Sequence, residues 1–166
     1  MMGLFFEVTP REGHMSRYFE LAAFLKPELE RSGGVLFLDR YTSARRPELV
    51  LSHQWWVDEE SLIRWRENAQ HRAIQREQHF KDYRLRIGKL LEPTPAAAGT
   101  RSLFVSHHDA EPARQDGELF KSVYREGKFL VLADQAPAPQ EAAETKAFEI
   151  IRDYTMYERA EAPQEA

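Results

Sequence analysis

Cysteine is absent from all 166 residues, which excludes disulfides, thiolate metal sites and a cysteine nucleophile together. An excess of basic charge is absent too. The 23 Lys+Arg stand against 27 Asp+Glu, a formal net charge of −4, and this argues against a general nucleic-acid binder. No stretch approaches the roughly 18 consecutive apolar residues of a membrane span. The opening MMGLFFEVTPREG lacks the basic start and apolar core of a signal peptide. These absences predict a soluble, cytoplasmic protein with no membrane and no nucleic-acid partner. The chain also shows no Gly-rich phosphate loop, no G-x-S-x-G elbow and no paired-carboxylate signature, which speaks against flavin or nicotinamide binding by the usual fold. What is present is aromatic: 10 Phe, 6 Tyr and 3 Trp. The length suits one domain, or one domain plus an appended half, with a core that needs no cross-links.

Leu4 to Val8 is short, aromatic and apolar before Pro10, the pattern of a strand. Gly13 to Arg31 carries Met15, Tyr18, Phe19, Ala22, Leu25 and Leu29 at steps of three and four, the period of an amphipathic helix. Pro27 should kink it or restart its last turn, and Ser32-Gly33-Gly34 should end it. Val35–Thr42 and Glu48–Val57 read as strands around the turn SARRP. In the second, Leu49, Leu51, His53 and Trp55 share one face and Val50, Ser52, Gln54 and Trp56 the other. Large apolar groups on both faces require two covers. Helices of the same chain supply one; a second sheet, from a partner chain or from the C-terminal half, must supply the other. Asp58, Glu59 and Glu60 suit a helix start. Leu62, Trp65 and Ala69 continue that helix, Asn68 reads as a break, and a polar helix follows over 70–81. Tyr83 to Leu91 reads as a strand. The order β-α-β-β-α-β is the ferredoxin-like arrangement, complete by residue 91.

Residues 92–100 (EPTPAAAGT) read as a linker. Beyond it, Leu103–His107 reads as a strand, Glu118–Arg125 as a short helix, Lys128–Ala133 as an apolar strand and Phe148–Glu158 as a final strand. Ala136–Thr145 is a low-complexity turn with room for one helical turn. Residues 160–166 are expected to be a disordered tail. The domain reading is therefore a ferredoxin-like unit over 1–91, the linker, and a sheet extension or partial second unit over 101–159.

The string LSHQWWVDEESLIRWRENAQHRAIQ followed by KDYRLRI, with FEVTPREGHMSRYFELAAFLKPEL and GGVLFLDRYTS upstream, resembles the antibiotic biosynthesis monooxygenase (ABM) family. The matching features are a strand ending in Trp, an acidic helix start, then Trp-Arg and a His six residues on. The resemblance covers about Gly3 to Leu91, and FEIIRDYTMYERAEAP is similar to the C-terminal strand of some members. It implies a dimeric α+β barrel, two ferredoxin-like sheets face to face, each with an apolar pocket between sheet and helices. It also implies a homodimer, no cofactor, and activities such as oxygenation of polycyclic anthrones or breakdown of haem. Two departures stand out. The anthrone-oxygenase pattern has an Asn four before the helix Trp and a Tyr six after it, where this chain has Ser61 and His71. The haem-degrading pattern has a His ten after the Trp, where this chain has Gln75.

By that resemblance Trp65 lines the pocket and stacks on a flat substrate, and His71 stands at the family's His position. An imidazole there can accept an acidic proton from a phenolic substrate. A core-filling Trp and a backbone-bonded His are the plain alternatives. His53 lies with Trp55 on the face of Leu51, both candidates to line a substrate pocket, and the imidazole needs a polar partner or that pocket among apolar neighbours. Arg84 and Arg86 share one face of the fourth strand, which reads first as a solvated face; they could stabilise an enolate or superoxide if that face meets the pocket mouth. Tyr41 and Tyr83 could donate to a quinone oxygen or serve equally as interface residues. No metal site is expected: His107 and His108 are adjacent on a strand and point to opposite faces, and His71 and His79 would stand about 12 Å apart on a helix. The first reading is a monooxygenase without a cofactor, joining dioxygen to a flat phenolic or anthrone-like small molecule. The second is a non-catalytic ligand-binding or dimerisation module. Haem degradation is third.

Overall fold

Strand β3, Val50–Trp56, is buried along nearly its whole length, and its two faces go to different cores. Leu49, Leu51 and partly buried Trp55 join Phe5, Tyr41, Leu103, Val105, Phe120, Leu130, Leu132, Phe148 and Ile150 in one cluster. Trp56 joins Met2, Leu29, Leu62, Trp65 and Ile87 in a second, and Val50 joins Val8 and Tyr18 in a third. The alternation of the sequence is thus realised on both sides of one strand.

The computed structural model describes residues 1–75, 79–91, 97–113, 116–138 and 143–164. Around β3 the chain builds β1 (Met2–Pro10), α1 (Met15–Ser32), β2 (Val35–Ser43), α2 (Glu59–Glu67), α3 (Ala69–Gln75) and β4 (Phe80–Leu91). These strands pair antiparallel in the order β4-β1-β3-β2, the ferredoxin-like sheet. Helix α1 runs through Pro27 to Ser32, and Gly33 at φ 76° ends it. The polar helix expected over 70–81 is shorter: α3 stops at Gln75, and β4 has begun by Phe80.

The second half supplies β5 (Ser102–His108), β6 (Glu118–Ser122), β7 (Phe129–Ala133) and β8 (Ala143–Thr155). The helix expected at Glu118–Arg125 is a correction. Leu119 and Phe120 are both buried, on opposite faces of β6, and Val123 and Tyr124 lie in the hairpin that follows. All eight strands close one barrel, β1-β3-β2-β6-β7-β5-β8-β4. Its second sheet, β8-β5-β7-β6, repeats the order of the first with each strand replaced by its counterpart four further on, and neither crossover is a described helix. The joins are β2 to β6 and β4 to β8, like strand to like strand, as a pseudo-twofold axis requires. The second cover therefore comes from the same chain, and the barrel is complete without a partner.

A glycine pair fastens the two halves. Gly3 and Gly88 face each other across β1 and β4, and a Cβ on them would meet Phe148 at 2.6 and 2.8 Å. Their missing side chains make the space that the fully buried Phe148 ring of β8 fills. Glu161, in the segment expected to be disordered, accepts hydrogen bonds from Arg101 (2.8 Å) and the Asp153 amide (2.8 Å). Residues 92–96 of the expected linker lie outside the described residues.

Candidate active site

The first sheet separates two environments, and the sequence-derived candidates divide between them. On the helix side, Asp58 caps α2 by accepting the Ser61 amide (2.8 Å), with Glu59 and Glu60 in the first turn. That start aims Trp65 at the sheet, where it is 5% exposed. Asn68 then turns the chain at φ −59°, ψ 130°. Its Oδ1 accepts the amides of Gln70 (3.0 Å) and His71 (3.1 Å), and its Nδ2 donates to Glu28 of α1 (3.1 Å). The break expected at Asn68 is thus also the cap of α3. It lays the His71 ring on Trp65, centroids 4.7 Å apart and planes 26° from parallel. Burial pulls His71 down to about 4, against the opposing pull of the Arg66 and Trp65 carbonyls. Near neutral pH the ring is uncharged and holds a lone pair.

The register shows what lies opposite. Leu4, Gln54 and Leu38 share one rung of the helix-facing surface, and Phe6, Ser52 and Arg40 the next. Trp56 Nε1 donates to Gln54 Oε1 (2.9 Å), and Gln54 Nε2 donates to Ser52 Oγ (3.4 Å). This polar row lies between the two apolar clusters of the helix side. Tyr83 is at the far end of the layer, its ring 5.6 Å from Phe6, and its hydroxyl accepts from Arg159.

His53, Trp55 and Tyr41 face the other way, into the barrel. His53 is fully buried. Its Nδ1 donates to the Leu4 carbonyl (3.0 Å) and its Nε2 accepts from Trp55 Nε1 (2.9 Å). Both nitrogens are used, Phe5 stacks on the ring at 4.5 Å, and burial with His107 nearby pulls it down to about 3. His107 completes this aromatic group, 5.7 Å from His53 and 5.3 Å from Trp55. Tyr41 accepts from Arg125 (3.1 Å), and burial beside Asp39 raises its hydroxyl well above the usual range. Arg84 and Arg86 lie at the barrel's other end. Arg84 is held by Asp153 (2.6 Å), and Arg86 by Glu7 (3.2 Å) and Asp134 (3.3 Å). They line a cavity of about 340 Å³ with Arg101, Asp134 and Asp153.

The candidates therefore form no single site. Trp65 and His71 meet on the helix side, with Tyr83 in the same layer; His53, Trp55, Tyr41, Arg84 and Arg86 are behind the sheet. Arg40, Ser52 and Gln54 were not singled out by sequence reasoning as site residues. Their signal was polarity on a strand face that also carries Trp56 and Leu38. Among the described residues, no group of three or more His, Asp or Glu could hold a metal ion.

A barrel of two ferredoxin-like sheets with helices on one side is the class this architecture defines. The model of the antibiotic biosynthesis monooxygenase family matches residues 1–77. Over nearly the whole length, 99% of this chain and 97% of the relative, it is 26% identical to the jasmonate monooxygenase ABM of Pyricularia oryzae. A crystal structure of a Lactobacillus acidophilus NCFM protein superposes with a TM-score of 0.50, covering 93% of this chain and 95% of that one at 8% identity. That likeness concerns the fold alone.

Proposed function

We infer that the chain is an ABM-type monooxygenase that joins dioxygen to a flat, acidic small molecule, phenolic or anthrone-like, without a cofactor. The observation that carries this reading is the Trp65–His71 stack, held by Asn68 against the helix face of the sheet. An uncharged imidazole beside a buried indole is the arrangement a dry deprotonation site needs. The substrate supplies all the electrons. His71 takes a proton from an activated CH₂, and the carbanion passes one electron to dioxygen. The radical and superoxide combine to a peroxide, whose loss of water leaves a carbonyl. The sum, CH₂ plus O₂ to C=O plus H₂O, needs no outside reductant. Charge forming on the enolate offsets the cost of charging the buried His71.

The barrel needs no second chain, so a homodimer of this protein is an association of finished barrels. The second reading, a ligand-binding module, is favoured by the packing of Trp65 within an apolar cluster. The test is oxygen uptake by metal-stripped protein given dithranol or jasmonate, the latter taken from the name of the Pyricularia relative. Uptake above the autoxidation blank, lost in His71→Gln, supports the monooxygenase. Binding of either compound without uptake supports the module.

A further inference from the structure

We propose that Arg40 and Ser52 form a carboxylate-recognition point in the layer between the sheet and the helices, so that the molecule bound there is an organic acid. The inference rests on the reading that this layer is the substrate site, and it names the substrate class.

Arginines elsewhere in the barrel have carboxylate partners. Arg84 has Asp153, Arg86 has Glu7, Arg125 has Asp39, and Arg101 has Glu161. Arg40 has none among the described residues. Its Nε is buried and makes no hydrogen bond. The groups that face its guanidinium are the phenols of Tyr18, on α1, and Tyr124, in the β6–β7 hairpin. Asp39, its neighbour in sequence, points into the barrel and is occupied by Ser122 (2.8 Å) and Arg125 (2.9 Å). A buried guanidinium without a counter-ion is costly, and two neutral phenols do not neutralise its charge.

Ser52 makes the feature a site rather than a stray charge. It stands directly opposite Arg40 across β2 and β3, a separation of about 5 Å between Cβ atoms. Its Oγ accepts from Gln54, and its own proton is donated to no partner among the described residues. Two unspent donors, one charged, therefore sit side by side on one face. That pair matches the two oxygens of a carboxylate, for which arginine is the preferred partner. Phe6 shares this rung, and apolar clusters lie on either side, so the remainder of the molecule is apolar. Tyr124 is 55% exposed and marks where this end of the layer meets solvent.

The test is calorimetric titration of the full chain with jasmonic acid and anthracene-2-carboxylic acid, each beside its methyl ester. Wild type, Arg40→Gln and Arg40→Lys are compared, with thermal melting of each. The expected result is at least roughly tenfold tighter binding of acid than ester by wild type, as a charge-assisted hydrogen bond provides. Arg40→Gln, still folded by its melting transition, removes that preference, and Arg40→Lys keeps part of it. Equal binding of acid and ester by wild type, a preference that survives in Arg40→Gln, or no binding of either acid overturns the proposal. Acids that bind with this preference but consume no oxygen leave the carboxylate site standing and remove the monooxygenase reading.

Discussion

The indole of Trp65 and the imidazole of His71 are stacked at 4.7 Å, and what holds them so is the amide side chain of Asn68 between α2 and α3. Truncating that side chain frees the Gln70 and His71 amides and the tie to Glu28. Asn68→Ala is expected to cost about 1 kcal/mol, as helix caps do. His71 should then titrate closer to its ordinary 6.5, which histidine NMR reads directly. An unchanged His71 midpoint would mean that Asn68 does not position the ring.

Histidines drawn down by burial set a pH window. His53 is pulled down to about 3, and His71 and His107 to about 4, each mainly by burial. Between pH 6.5 and 4 the unfolded chain therefore binds more protons than the folded one. Their contribution to stability is complete above pH 6.5 and is lost as pH falls toward 4. Thermal melting across that range should show Tm falling. His107→Phe, which removes a buried Nε2 without a partner, should raise Tm near neutrality and flatten the slope. A Tm that is constant from pH 7 to 4.5 would contradict this.

The glycine pair under Phe148 predicts a compensating double change. Gly3→Ala puts a Cβ 2.6 Å from the Phe148 ring, an overpacking expected to cost about 1–3 kcal/mol. Phe148→Leu in the same chain should recover part of that loss, measured by urea denaturation. Additive losses would show that the ring and the glycine do not compete for the same space.

The pseudo-twofold predicts how the first half behaves alone. Residues 1–91 end with β2 and β4 as open edges and leave Phe5, Tyr41 and Leu51 uncovered. That fragment should pair with its own copy and run as a dimer in sedimentation analysis. A folded monomeric fragment would contradict the equivalence of the two halves.

The first sheet was legible because its residues alternate cleanly. Leu49, Leu51, His53 and Trp55 against Val50, Ser52, Gln54 and Trp56 name both faces of β3 by alternation alone. The need for two covers followed, and only the source of the second stayed open. The second half was harder because the helices that punctuate the ferredoxin-like pattern are missing from it. Glu118–Arg125 misled for a specific reason: Leu119, Phe120, Val123 and Tyr124 fall at helical spacing, yet a strand buried on both faces followed by a tight hairpin produces the same string. Trp65 and His71 could be paired by spacing. Arg40 could not be chosen, since its distinction is the lack of a carboxylate partner, a tertiary property.

The most direct test of the account is to compare His71→Gln with His53→Gln in single-turnover oxygen consumption, using whichever of dithranol or jasmonate wild type oxidises. Both are histidines beside a tryptophan, on opposite sides of one sheet. Turnover by His71→Gln is expected to fall roughly 10²-fold or more, the contribution of a positioned base. Folded His53→Gln, which loses a ring fully spent on Leu4 and Trp55, should stay within about threefold of wild type. Loss of turnover in His53→Gln with His71→Gln unaffected would put the chemistry inside the barrel and contradict the assignment of the site.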